Sequence, residues 1–111
     1  MPRIKDSYPH EVEQAAARLG ANVRTARLRR RIAQEELTKA AGIDRRTLAR
    51  LEQGDPGVAL GRAMAVLWAL GLLPTTQALA DPEKDEHGKI LEQARLPQRA
   101  RHAGIAIDNK F

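Results

Sequence analysis

The sequence predicts an all-α fold, and three observations carry the prediction. Aromatic residues make up only 3% of the chain although hydrophobic residues make up 42%. A core built from Leu, Ala, Val and Ile with almost no rings suits packed helices, because sheets favour the aromatic and β-branched classes. Apolar residues recur every three or four positions at Val12, Ala16, Leu19, Val23 and Ala26, the period of a helix with one apolar stripe. Gly and Pro then punctuate the chain between patterned stretches, at Gly42, Gly54, Gly57 and Pro74. The length, 111 residues, accommodates one such domain with a tail or two but not two independent cores.

Each element follows from its own residues. Residues 1–8 are polar and are expected to be loose. Pro9 suits the first turn of a helix, with Glu11 and Glu13 near its positive end. The stripe from Val12 to Ala26 extends that helix to about Arg31, either unbroken or split at Gly20. Arg24, Arg27, Arg29, Arg30 and Arg31 load its C-terminal end, where the dipole favours cations. Residues 33–42 form a second, short helix with Leu37 and Ala40 or Ala41 inward, closed by Gly42 in the left-handed conformation. Ile43 packs down from the turn, and Asp44 caps a third helix that runs to about Gln53 and is closed by Gly54.

After the turn at residues 55–57, residues 59–72 form a strongly apolar helix. Leu60, Ala63, Met64, Leu67 and Leu70 make its expected face, Trp68 lies beside them, and Pro74 ends the run. An apolar surface of that width suggests two coverings, the core and a second subunit; the candidate dimer surface is Met64, Trp68, Leu72 and Leu73, unless Trp68 simply completes the monomer core. Residues 75–81 add one or two turns, and helical character resumes from about Glu83, with only Ile90, Leu91 and Leu96 available to bury. The last residues, PQRARHAGIAIDNKF, hold no fixed shape unaided. Three segments result: a flexible terminus at 1–8, a folded domain at 9–73 and an extension at 74–111 that offers itself to a partner.

Charge locates the functional surface. The net charge is +5, but residues 18–50 hold ten Arg or Lys against three Asp or Glu, an excess of +7, whereas residues 81–92 hold five acids against two lysines, or −3. A basic block inside the folded part suggests a surface for a polyanion. The short helices at 33–42 and 44–53, joined by a glycine turn, make a helix-turn-helix unit. At roughly 100° per residue, Leu48 and Leu51 fall on one side of the second of these and Arg45, Arg46 and Arg50 on the opposite side, with the small Ala49 among them. That geometry suits a helix lying in the major groove of double-stranded DNA, where arginine reaches guanine O6 and N7 with two hydrogen bonds.

Residues 19–72 resemble the helix-turn-helix domain of the phage repressor and Cro class, the XRE family. The resemblance is carried by RLRRRIAQEELTKAAGIDRRTLARLEQG and the following ALGRAMAVLWALGL. Gln34 matches the glutamine that opens the family's second helix, Ala41 and Gly42 match its small residue and glycine before the turn, and Leu51, Glu52, Gln53 and Gly54 match the end of its recognition helix. The resemblance implies a five-helix phage-repressor-like domain with a C-terminal extension here. It implies that Gln34 touches a phosphate and braces the recognition helix, that Arg45, Arg46 and Arg50 take base-facing positions, that Asp44 and Thr47 also belong to the DNA-binding set, with Thr47 toward the DNA backbone, and that Glu52 pairs with Arg27 as a structural ion pair. It also implies a homodimer on a palindromic operator. Glutamine and serine are frequent at the family's base-facing positions, so the adjacent arginines here favour half-sites containing G.

The stretch DPEKDEHGKILEQARLPQRAR after ALGLL is similar to antitoxins of the HipB type. That resemblance implies a repressor of its own operon that neutralises a HipA-type serine/threonine kinase through the extension. The terminal AGIAIDNKF alternates in polarity, so it would add a strand to a partner, insert Phe111 as an anchor, or stay frayed. The remaining alternatives are a phage-type or stand-alone regulator without a toxin, and an interaction domain that does not bind DNA.

Other classes find little support. There is no cysteine, which removes disulfides and thiolate zinc sites. His10, His87 and His102 are scattered without metal-ligand spacing, and the single serine, Ser7, lies in the loose terminus. There is no glycine-rich phosphate loop. The expectation is a protein with no catalytic residues, no metal and no cofactor. The chain shows no signal-peptide core and no apolar run near the roughly 20 residues of a membrane span, which predicts a cytoplasmic protein away from membranes.

Overall fold

A computed structural model of the chain describes residues 8–96. The expectations for the first seven residues, Ser7 included, and for residues 97–111, with His102 and Phe111, lie outside it. All regular structure among the described residues is helical, without a strand. The chain divides into two compact units between Thr76 and Gln77.

In the first unit, α1 (His10–Arg29) is one unbroken helix of 20 residues. Pro9 precedes it and its carbonyl accepts from the backbone N–H groups of Val12 and Glu13, with Glu11 and Glu13 in the first turn and Arg27 and Arg29 in the last. α1 ends where Arg31 turns left-handed at φ 55°, and the Ile32 N–H donates back to the Arg27 carbonyl at 3.4 Å. A residue with a Cβ has replaced the glycine usual at this place. α2 (Gln34–Ala41) and α3 (Arg45–Glu52) are eight residues each. Gly42, at φ 72°, closes α2 as its sequence implies. Of the two candidate alanines Ala41 is the half-buried one and Ala40 is exposed. α4 (Leu60–Ala69) follows the turn at 55–57.

The core contains Val23 and Ala26 of α1, Leu37 of α2, Leu48 and Leu51 of α3, and Ala63, Val66 and Leu70 from α4 and its cap. Ile32, Ala41, Ile43, Val58, Leu67, Ala69 and Leu72 pack around it. α1 packs on α3 and α2 on α4, with α2 and α3 adjacent to one another.

Three sequence expectations change here. The α1 stripe does not bury along its length: Val12 and Leu19 are 41% and 36% exposed. Helices of eight residues are about 12 Å long and cannot cover a helix of about 30 Å, so the burial begins near Gly20. In α4 the inward face is Ala63, Val66 and Leu70, with Leu60 70% exposed and Met64 and Leu67 only half-buried. The true face is rotated by roughly 70° from the expected one. A helix apolar around most of its circumference gives periodicity little to choose between. Finally, Pro74 does not end α4. Gly71, left-handed at φ 77°, does so earlier, and the Leu72 N–H returns to the Leu67 carbonyl at 2.7 Å. Pro74 instead lies in a 3-10 segment, Leu73–Ala78.

In the second unit a 3-10 turn, Pro82–Lys84, leads into α5 (Glu86–Arg95), so the α-helix starts three residues later than its sequence suggests. Asp81 accepts from the Glu83 N–H and Asp85 from the Gly88 N–H, capping both segments. Lys89 Nζ donates to the Glu83 carbonyl at 2.6 Å and ties them together. No residue of α5 is buried; Ile90 and Leu91 are exposed. No helix among the described residues is long and apolar enough to cross a membrane.

Candidate nucleic-acid interface

The α3 helix is short, and what aims its side chains lies mostly outside it. Its start is set by Asp44, whose carboxylate accepts from the Thr47 N–H at 2.7 Å. Hydrogen bonding from Thr47, side chain then backbone, holds the Asp44 carboxyl below the ordinary range, and the charges of Arg62 and Arg46 lower it further. Asp44 and Thr47 therefore begin the helix. Arg62 of α4 brings a cation to that end which the sequence reading did not single out.

One side of α3 is locked into the core. Leu48 is fully buried and Leu51 nearly so. Glu52 lies at the edge of that side with its carboxylate almost fully enclosed, at 3% exposure. Arg27 of α1 donates to it twice, from Nε at 2.7 Å and Nη2 at 3.0 Å. Gln34 Nε2 donates to the same carboxylate at 3.0 Å, and Arg27 Nη1 reaches the Ile32 carbonyl at 3.1 Å. This is the Arg27–Glu52 pairing that the resemblance implies, with Gln34 as a third member. Burial alone would raise the Glu52 carboxyl. The hydrogen bonds from Arg27 and Gln34 and the charges of Arg27 and Arg24 outweigh it and hold the group below the ordinary range. The Arg27 guanidinium is raised in turn, first by its bond to Glu52. No buried side-chain nitrogen or oxygen among the described residues lacks a partner.

The opposite side of α3 faces out. Arg45 and Arg46 are exposed, and the small Ala49 among them is half-buried. Arg50 is on the same outward side but behaves differently. Its Nε donates to Asp55 Oδ2 at 2.7 Å, and its side chain is only 35% exposed. Asp55 Oδ1 in turn accepts from the Gly57 N–H at 2.7 Å. The sequence reading missed Asp55. Its signal was the aspartate two residues before a glycine, a spacing at which the carboxylate folds back onto the backbone, just after the left-handed Gly54, which reverses the chain toward α3.

The candidate dimer residues divide. Trp68 stands 62% exposed and Leu73 36%, whereas Leu72 packs against the protein's own core and Met64 is half-buried. Trp68 does not complete the monomer core, so that alternative is set aside. Leu72 belongs at least partly to the monomer. No cluster of His, Cys, Asp or Glu suited to a metal ion occurs among the described residues. No protein-family model, curated protein or solved structure matches the chain.

Proposed function

We propose that the chain is a sequence-specific DNA-binding transcriptional repressor, in which α2 and α3 work as a helix-turn-helix unit and α3 enters the major groove. The observation that carries the reading is the division of α3. Two leucines and a triply bonded glutamate anchor one side, and the other presents Arg45 and Arg46 to solvent with the small Ala49 between. A helix so anchored holds fixed the backbone from which its arginines project, and the groove, about 12 Å wide, admits a helix. The +7 excess over residues 18–50 supplies phosphate attraction. Two copies joined through the Trp68 face would read half-sites about 34–36 Å apart.

Selection of duplexes from a random pool tests this directly. The expected result is a palindromic site containing G, bound by the native chain and lost when Arg45 and Arg46 are both changed to Ala. Unchanged binding by that double variant would mean that the duplex is held elsewhere than on α3, and a native chain that selects no duplex would favour an interaction domain instead.

The antitoxin reading rests on the second unit, an acid-rich segment that exposes Leu79, Ile90 and Leu91 and carries −3 over residues 81–92. Such a surface suits a protein partner rather than DNA. A HipA-type kinase encoded beside this chain should co-purify with the full chain and not with one ending at Thr76.

A further inference from the structure

The three outward arginines of α3 are not equivalent, and the difference points to a fourth residue. Arg45 and Arg46 make no ion pair among the described residues, whereas Arg50 is held by Asp55. Asp55 is itself fixed, because the Gly57 N–H binds its other oxygen. The contact uses Nε of Arg50. A guanidinium held at Nε keeps its Nη1 and Nη2 groups as a forward pair of donors, the arrangement that matches guanine O6 and N7. Both side chains are only partly exposed, at 35% and 27%, but a single ion pair near the surface adds little to folding stability, so its main effect is on where the guanidinium points.

We propose that Asp55 is a positioning residue for base recognition: it braces Arg50 so that this arginine, of the three, delivers the sharpest guanine preference. The proposal rests on the DNA-binding reading. Asp55 touches no base. It removes the freedom that a long flexible side chain otherwise loses on binding, and it acts on discrimination rather than on total affinity. Its negative charge near the phosphates works against binding in general. Removing that charge should weaken discrimination while leaving general affinity equal or higher, which loss of structure would not do.

The test compares the native full-length chain with Asp55→Asn, Arg50→Ala, Arg50→Lys and the double variant Arg50→Ala/Asp55→Asn in selection from a random duplex pool. Anisotropy measurements with the selected and a scrambled duplex follow. Asparagine retains an oxygen for the Gly57 N–H and turns an NH2 group toward Arg50, so the turn persists and the brace is lost; a melting temperature close to native verifies this. The native chain should select a G at a fixed place in each half-site, and Arg50→Ala should erase that G alone. Asp55→Asn should reduce the preference at the same position by about tenfold, within the range of one good bidentate contact. It should leave the other positions intact and the scrambled duplex bound at least as tightly. Arg50→Lys, which keeps the charge but not the fork, should lose the G as well. Asp55→Asn should have no further effect on base preference in the Arg50→Ala background. The proposal is overturned if Asp55→Asn leaves that G unchanged, if every position of the site decays together, or if Arg50→Ala erases no position. If the native chain binds no duplex, the DNA-binding reading fails first and takes this proposal with it.

Discussion

Arg27 joins three parts of the chain through one side chain. It starts from α1, grips Glu52 at the end of α3 and holds the Ile32 carbonyl in the intervening turn. Breaking one half of so enclosed a pair leaves the other charge uncompensated, which typically costs about 3 kcal/mol or more. Glu52→Gln should lower stability by about that amount at neutral pH, measured as a shift in urea midpoint. The pH dependence has a definite sign. The folded Glu52 carboxyl lies below its unfolded value. Its contribution is therefore complete above the ordinary carboxylate pKa of about 4.3 and drains as pH falls through the lowered folded value. The stability gap between the native chain and Glu52→Gln should narrow on acidification below about pH 4. A gap independent of pH would mean that the charge of Glu52 contributes nothing.

At the scale of elements, the meeting of α1 and α3 is made by residues without side chains. A Cβ on Gly20 would overlap the Leu51 carbonyl oxygen and come within 2.8 Å of the Glu52 carbonyl oxygen. Gly54, left-handed at φ 84°, would meet the Ala17 backbone in the same way. Both obstacles are backbone, which cannot swing aside. Gly20→Ala should therefore destabilise by about 3 kcal/mol in spite of alanine's better helix propensity. Gly61, in α4, faces open space; Gly61→Ala should stabilise by about 0.5–1 kcal/mol. Thermal melts of the two variants should move in opposite directions. The rotation of α4 gives a second pair. Val66, fully buried, should cost about 2 kcal/mol or more when cut to alanine. Leu60→Ala should stay within about 0.5 kcal/mol. Equal effects would restore the face that periodicity suggested.

For the whole molecule the two proposed contacts, with a second copy and with DNA, can be separated. Trp68 is mostly exposed in the single chain. Trp68→Lys should dissociate dimers in sedimentation while leaving the stability of the isolated protomer within about 0.5 kcal/mol of native. A large loss of protomer stability would mean that the tryptophan serves the fold. Arg46→Ala should lower duplex affinity and, where Arg46 meets a phosphate, reduce the slope of log affinity against log salt by about one. If Arg46 reads a base instead, preference at one position should relax by about 1–3 kcal/mol with the slope nearly intact.

Local chemistry alone determined where the two short helices α2 and α3 lie, the Asp44 cap, the glycine that closes α2, and the outward placing of Arg45 and Arg46. Each depends on residues within a turn or two, and a sequence displays such neighbours side by side. What only the tertiary structure decided is how far burial reaches along α1, which face of α4 turns inward, why Gly20 is glycine, and that Arg50 leans on Asp55. These depend on which backbone arrives opposite a given side chain. An apolar helix with several equivalent faces carries no local mark of that choice.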